Sequence, residues 1–463
     1  MKFGGSALGT VSALTQVFSI VLHENRHWDR LVLVASALDG VTDMLLEAAH
    51  LAQIANQRGY RRIAATLRTR HMALADQLSL GTQERNTLHA DINSLIFEML
   101  DECQTLASKP SDTLSLAVSD RIIGVGEKLS ARIIAALLRD NKLRGVAIDG
   151  TDVIITDDVH GNATPLLDLT CEQVNTHLLS MLDREIIPVV TGFIGATGTG
   201  QPTTMGRGGS DYTASILATC THAEEVWIWS DVDGMMTTDP KENPAAQVIN
   251  EMSYDEVAEL AYFGARILHA KMIHPLQEQN IPLRIKNVYK PQQQGTLIHD
   301  EKMAHDGRII AVTSISGIGL SANRSGSLSS VISIVDDALF NTTGSHADVM
   351  ISSQSSARSF LCFIVPTHAG GLGAVDAVRD ALDEKLSTFH DSVYWTVEPV
   401  MIVTAVGENL NSQSLLIAKI LQQLVGIHLI SLAQGPSQAS LSLIVHPDDA
   451  ENTLNRIHQY LLQ

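Results

Sequence analysis

The chain has 463 residues, 45% apolar and 18% charged, a balance that supports two or three buried cores and excludes global disorder. It carries 51 acidic against 32 basic side chains, net −19 at neutral pH, which argues against binding nucleic acid or anionic membranes. Any anionic substrate would need a local positive pocket. Aromatic residues are 4% while glycine numbers 32, a composition that suits α/β layers with tight turns.

Leu14, Val17, Phe18 and Val21 share one helical face, and Leu31–Ala35 reads as a buried strand. Another helix is expected from about Thr42, mostly helical structure from Arg61 to Leu106, and a further helix around Leu129, Ile133, Ile134 and Leu137. Gly145–Ile148, Ile186–Val190, Val226–Ser230 and Leu283–Lys286 read as strands, with helices near Tyr212–Thr219 and Tyr254–Gln279. Such alternation calls for a mostly parallel sheet covered on both faces, over about residues 1–300.

Beyond a polar stretch at 299–307 the texture changes. Ile309–Ser316 is a strand candidate followed by GIGL, and Asp348–Ser353 leads into QSS. Val400–Val406 is followed by GENL, and Leu429–Ala433 leads into QGPS. This reads as one small α+β unit used twice, at 307–390 and 396–463, with Gly317 matching Gly407 and Gln354 matching Gln434.

Cys103, Cys171, Cys220 and Cys362 show no CxxC or Cys/His ligand spacing, so reduced thiols in a cytoplasmic protein are expected. The 18 histidines are assigned to solvent or core, and no metal ligand is assigned. No apolar run reaches the ~18–20 residues of a membrane span, and the opening residues are not a signal peptide.

Several segments carry chemistry. Lys2-Phe3-Gly4-Gly5-Ser6 precedes the first helix, where glycine N–H groups and a helix N-terminus can close on an anion and Lys2 adds a point charge. A plain tight turn accounts for the same residues. Gly206-Arg207-Gly208-Gly209-Ser210-Asp211 places a planar cation among three glycines; turn glycines with Asp211 capping a helix is the bland alternative. Ser230-Asp231-Val232-Asp233-Gly234 and Ser36-Ala37-Leu38-Asp39-Gly40-Val41-Thr42 each follow a strand, on the edge where parallel sheets hold ligands. Glu127 precedes a helix, either as a first-turn acid or as a receiver of an ammonium group. GxxxxGK[ST], HRD and DFG are all absent, which excludes P-loop and protein-kinase cradles.

Taken in order, KFGGS (2–6), SALDGVTD (36–43), GEKLS (126–130), TGFIG (191–195), MGRGGSDYTA (205–214), SDVDG (230–234) and TTDP (237–240) resemble the aspartate kinases of the amino-acid-kinase family. The stretch 252–298 is most similar to the kinase half of bifunctional aspartokinase–homoserine dehydrogenases, and the tail resembles paired ACT domains. The resemblance implies a three-layer αβα sandwich, followed by two ferredoxin-like ACT units, that uses MgATP to phosphorylate the side chain of L-aspartate. By motif, Lys2, Gly4, Gly5 and Ser6 face the ATP phosphates, and Ser230, Asp231, Met236, Lys241 and Arg266 surround the nucleotide. Thr42, Glu127, Arg207 and Ser210 hold aspartate, and Lys2, Arg207 and Asp211 are catalytic. Gln354 and Gln434 match effector-contacting positions, and a homodimer or homotetramer through the ACT units is expected by analogy.

Four departures accompany the resemblance. Only Met1 precedes KFGG where the family has a strand, so Lys2 is expected to lack its anchor; a truncated or misassigned start and a compromised site both account for this. Met236, Lys241 and Arg266 replace an aromatic, an arginine and a lysine. SANRSGSLSS and NSQS replace glycine-bearing loops in the two tail units. A catalytically weak amino-acid sensor that keeps the fold is the alternative reading.

Overall fold

The computed structural model describes residues 1–108, 115–264, 268, 270–300, 308–324, 328–343, 346–365, 372–388, 394–435 and 437–462. They form two compact units, Met1–Met235 with Leu268–Asp300, and Met236–Ile267 with Glu301–Gln463.

In the first unit, strand β1 (Lys2–Phe3) leads through a tight turn to helix α1 (Val11–Glu24). Leu14, Val17 and Val21 of α1 are buried as the periodicity predicts, and Thr10 Oγ1 caps its start by accepting from the Ala13 N–H. Then come β2 (Leu33–Ala35), α2 (Val41–Gln53), α3 (Gln57–Gln77), α4 (Thr82–Ala107), α5 (Leu116–Ile123) and α6 (Val125–Asp140). β3 (Gly145–Ile148) and β4 (Ile155–Thr156) precede α7 (Leu167–Val174), a π turn and the short α8 (Ser180–Leu182). β5 (Ile187–Thr191), β6 (Ile194–Thr197), β7 (Pro202–Thr204), α9 (Gly209–Thr221) and β8 (Val226–Ser230) follow. The second unit then takes β9 (Glu251–Met252) and α10 (Tyr254–Tyr262), and the first unit ends with α11 (Ala270–Glu278), β10 (Leu283–Asn287) and β11 (Thr296–Ile298). The single helix expected over 254–279 is therefore two helices, one in each unit.

Seven strands of the first unit lie in the order β3-β5-β2-β1-β8-β10-β11. All neighbours are parallel except β10 and β11. β2 and β5 are buried at every residue, as a sheet covered on both faces requires. Phe3, Leu33, Ala35, Ile187 and Val189 join the cluster formed by α1 to α6. Val34 projects to the other face by the two-residue period, toward Ala214, Leu217 and Ala218 of α9. The result is the αβα sandwich. Although β1 has only two residues, both of its edges are paired, Lys2 opposite Val34 and Ile228 and Phe3 opposite Ala35 and Trp229. The expectation of an unanchored Lys2 is corrected: two flanking strands hold it in mid-sheet.

The expectation of four reduced thiols is also corrected. Cys171 on α7 and Cys220 on α9 form a disulfide. Cys103 and Cys362 are free and buried, and burial pushes each thiol up to about 12. Among the described residues no helix is long and apolar enough to cross a membrane.

The second unit continues with β12 (Ala311–Ala322), α12 (Leu328–Thr343), β13 (Asp348–Gln354), β14 (Ser359–Ile364) and α13 (Leu372–Thr388). The pattern recurs in β15 (Trp395–Val406), α14 (Ser414–Gln423), β16 (Leu429–Gln434), β17 (Ser440–Val445) and α15 (Pro447–Leu461). These strands form one sheet in the order β13-β14-β12-β15-β17-β16, antiparallel throughout. The repeat is real, but its glycine landmark is not. β12 runs through the GIGL segment, so Gly317 lies mid-strand opposite Val400, whereas Gly407 follows the end of β15. Gln354 and Gln434 do correspond: each ends an edge strand.

The disulfide closes a loop with a sequence separation of 49 residues, which stabilises a native fold by about 2–4 kcal/mol. Thiol titration of the denatured, unreduced chain is expected to find two thiols, and four after reduction. Cys171→Ser with Cys220→Ser is expected to lower the melting temperature relative to the oxidised parent, measured calorimetrically without reductant.

Candidate active site

The carboxyl ends of β1, β2, β5 and β8 meet at one edge of the parallel sheet, and the predicted segments leave from them. Lys2 is buried, and its Nζ stands 2.6 Å from Asp211 Oδ1. Asp211 is not the helix cap considered above. α9 begins at Gly209 with Gly208 as its cap, which puts Asp211 in the first turn, where a carboxylate suits the helix dipole. Gly206 and Gly208 have φ of 69° and 73°, left-handed conformations that carry the chain around Arg207. Arg207 itself is exposed and makes no ion pair among the described residues.

The first glycine turn is packed backbone to backbone. A Cβ on Gly5 would lie 2.8 Å from the Ala37 carbonyl oxygen, and Gly4 N–H donates to Trp229 O at 3.1 Å. Ser6 and Ser230 both donate to Asp231 Oδ1, each at 3.1 Å. Asn287 Nδ2 donates to Asp231 O at 3.2 Å and to Asp233 Oδ1 at 2.5 Å. Lys290 donates to Asp233 at 2.6 Å, and these bonds hold the Asp233 carboxyl below its ordinary value.

Glu127 occupies the first turn of α6 rather than preceding that helix, and is 3% exposed. Its Oε1 accepts from Ala37 N–H at 3.2 Å, while Oε2 is buried with no partner. Burial pushes this carboxyl up to about 8, against the opposing pull of the Ala37 and Glu127 N–H groups and the Lys2 charge. A buried carboxyl oxygen with no partner has hydrogen-bonding capacity that the fold itself does not use.

Thr42 and Ser210 are half-buried, each the second residue of its helix, α2 and α9. A Cβ on Gly192 would sit 2.6 Å from Ser210 Cβ, so the segment after β5 lies against the start of α9. The structure thus brings together Lys2, Gly4, Gly5, Asp211 and Glu127, and separately Ser6, Ser230 and Asp231. Met236 and Lys241 belong to the second unit: Met236 bridges to Val248, and Lys241 N–H donates to Asp239 Oδ1 at 2.8 Å. Arg266 lies outside the described residues.

Sequence reasoning passed over the supports of the Arg207 loop. Asp120 is 2% exposed and accepts from Thr204 Oγ1 at 2.5 Å, His160 Nδ1 at 2.8 Å and Gly161 N–H at 3.1 Å. It fixes the end of β7, just before Met205, to the 157–163 loop. Lys271 donates to Asn162 Oδ1 at 2.5 Å, and Gly206 leaves no room for a Cβ beside that same oxygen. Phe193 has φ of 69°, its N–H bonded to Thr213 Oγ1 at 3.0 Å. An acid on the buried side of the LAVSDRII helix was the one available signal for Asp120.

The amino acid kinase family profile matches residues 1–287. The chain belongs to this family. Within it, the chain is 30% identical to aspartokinase 3, chloroplastic, of Arabidopsis thaliana, over 99% of its own length and 80% of the relative's. It is 28% identical to the bifunctional aspartokinase/homoserine dehydrogenase 2, chloroplastic, of Zea mays, covering 99% of this chain and 50% of that one. The chain therefore spans about half the length of such bifunctional kinase family relatives. Among solved structures, E. coli aspartokinase III in complex with aspartate and ADP superposes with a TM-score of 0.78 at 26% identity, over 100% of this chain and 99% of that one. The same enzyme in complex with lysine and aspartate gives a TM-score of 0.81 at 25% identity, over the same shares.

Between pH ~4.5 and ~8 the folded chain of this kinase family member keeps a proton on Glu127 that the unfolded chain releases. Its stability is therefore expected to fall as pH rises through that window. In Glu127→Gln this component is absent: the variant's melting temperature is expected to exceed the parent's at pH 8 and to match it near pH 4, measured by differential scanning calorimetry without ligand.

Proposed function

We propose that the chain is an aspartate kinase, transferring the γ-phosphoryl group of MgATP to the side-chain carboxylate of L-aspartate. The observation that carries this reading is the buried, unpartnered Glu127 Oε2 in the field of the Lys2–Asp211 pair. Supporting it are the family membership and the likeness to an aspartokinase in complex with aspartate and ADP.

In this reading a carboxylate nucleophile of pKa ~3.9 is already ionised at neutral pH, so no general base is needed. The obstacle is the approach of two anions. Lys2 neutralises phosphate charge from mid-sheet, and Gly4 and Gly5 let the backbone come close to the phosphate oxygens. Arg207, on its glycine-flanked loop, binds an aspartate carboxylate; Glu127 takes the ammonium; Thr42 and Ser210 complete that subsite. Ser6, Ser230 and Asp231 border the nucleotide, and Met236, Lys241 and Arg266 are assigned to it by motif alone. Asp211 orients Lys2 through its 2.6 Å pair and would help hold the metal-bound phosphate. The Mg²⁺ that accompanies ATP would screen its phosphate oxygens.

Residues 1–300 are assigned to the kinase and 307–390 and 396–463 to ACT-like units, with Gln354 and Gln434 at their effector positions. Assembly as a homodimer or homotetramer through these units, and a cytoplasmic site of action, belong to the same reading.

A coupled assay is expected to show ATP consumption that depends on L-aspartate. Lys2→Ala and Asp211→Ala are each expected to lower kcat by about 10²–10³-fold, and Arg207→Ala to raise the KM for aspartate. Amino-acid binding without turnover in the unaltered chain would instead favour the sensor reading. Because the ammonium requires an ionised Glu127, aspartate binding below pH ~8 is expected to release a proton. Calorimetry in buffers of different ionisation heat should detect this release, and its absence in Glu127→Gln.

A further inference from the structure

The assignment of every histidine to solvent or core overlooked one segment. His23-Glu24-Asn25-Arg26-His27 reads H-E-x-x-H, a spacing that places two imidazoles on one face of a helix. It stands at the end of α1, where backbone bonds from Arg26 to His23 O and from His27 to Glu24 O carry the helical turn onward. The ring centroids are 4.5 Å apart, and one ligand atom from each of His23, Glu24 and His27 lies within 4.8 Å of the others.

The hydrogen bonds decide which nitrogens face outward. His27 Nδ1 lies 2.9 Å from the His23 carbonyl oxygen, and His23 Nδ1 lies 3.0 Å from Glu24 Oε1. A carbonyl and a carboxylate oxygen can only accept, so in the neutral rings both protons sit on Nδ1 and both Nε2 atoms carry the lone pair. That is the tautomer and the outer bonding pattern of metal-bound histidine. The exposed carbonyls of a helix C-terminus add a negative field. His23 is 58% exposed and Glu24 15%, so the imidazoles are reachable while the carboxylate is held in place. Glu24 Oε2 accepts from Trp28 Nε1 at 3.1 Å, and Trp28 meets Trp227 edge-on at 6.0 Å.

We propose that His23 and His27 bind one borderline first-row divalent cation, of the Cu²⁺, Ni²⁺ or Zn²⁺ class, through their Nε2 atoms, with Glu24 orienting His23. Two nitrogens at ~2.0–2.1 Å from one ion lie no more than ~4.2 Å apart, and the exposed His23 ring has room to turn toward that separation. Imidazole ligation places Cu²⁺ above Ni²⁺ and Zn²⁺ in affinity. Peptide hydrolysis does not follow from the motif. Both Glu24 oxygens are engaged, and beyond His23, Glu24 and His27 the described residues add no further histidine, cysteine or carboxylate to the group. The site borders a cleft of about 790 Å³, lined by His27, Trp28, Val34, Leu217 and Trp227, at the amino ends of the strands. The candidate active site lies at their carboxyl ends.

The test uses the full chain, freed of metal by chelation, with Zn²⁺ alone followed by calorimetry and Cu²⁺ alone followed by tryptophan fluorescence. One equivalent of Zn²⁺ is expected to bind, and one equivalent of Cu²⁺ to quench the fluorescence of Trp28 and Trp227. His23→Gln and His27→Gln are each expected to weaken binding at least tenfold, Glu24→Gln less so, with circular dichroism melts unchanged. In the unaltered chain, Zn²⁺ is expected to protect His23 and His27 from acylation by diethyl pyrocarbonate, read by peptide mass spectrometry. Identical titrations for the parent and the double His→Gln variant would overturn the proposal, as would unprotected His23 and His27 at saturating Zn²⁺.

Discussion

The structure of the first unit turns on one buried ion pair. A lysine ammonium in the middle of a parallel sheet loses its water, and that loss is tolerable only beside a fixed opposite charge. Asp211 supplies the charge at 2.6 Å from the first turn of α9. Lys2 in turn needs β2 and β8 on either side to hold its backbone, and Gly4 and Gly5 after it to bring the turn against Ala37 and Trp229. Helix, sheet and glycine turn are thus tied to a single side chain.

The same desolvation acts with opposite sign on Glu127. The pull of the Lys2 charge is the smallest of the opposing contributions, so burial prevails and the carboxyl keeps its proton to about pH 8. Asp211 is ion-paired with Lys2, while Glu127 Oε2 has no hydrogen-bond partner. A site so divided has one more acceptor than the fold itself uses. In the proposed reading, that spare acceptor is the one a bound ammonium group would use.

In the second unit the central strands β12 and β15 run antiparallel over twelve residue pairs and serve two cores at once. Ile318 and Leu320 of β12 pack with Trp395 and Val397 of β15, beneath Val331, Val335 and Val378. Val312 packs with Val403 and Ala405, beneath Ile420, Leu454 and Ile457. Each half of the repeat therefore borrows strand surface from the other, and a break within either central strand would open both cores. This sharing explains why the strand read as ending at Ser316 runs on to Ala322.

Periodicity and turn chemistry made the elements legible. Strand β8 has the limits read from its apolar run, β3 likewise, and the buried face of α6 carries the four residues named from spacing. Segments that follow strands, such as Gly4-Gly5 and Ser230-Asp231, were legible because strand ends in a parallel sheet converge on one edge. Local sequence could not reveal partners distant along the chain. The Cys171–Cys220 disulfide, the Asp120 cluster with His160 and Thr204, and the short β1 held between two neighbours all join residues whose chemistry is silent until folding brings them together. The protonation of Glu127 belongs to the same class, because a pKa depends on what surrounds a group in space. The sequence by itself determined which residues carry charge, turn the chain or bury themselves; tertiary structure decided which of them meet, since desolvation and hydrogen bonding act through distance in space rather than along the chain.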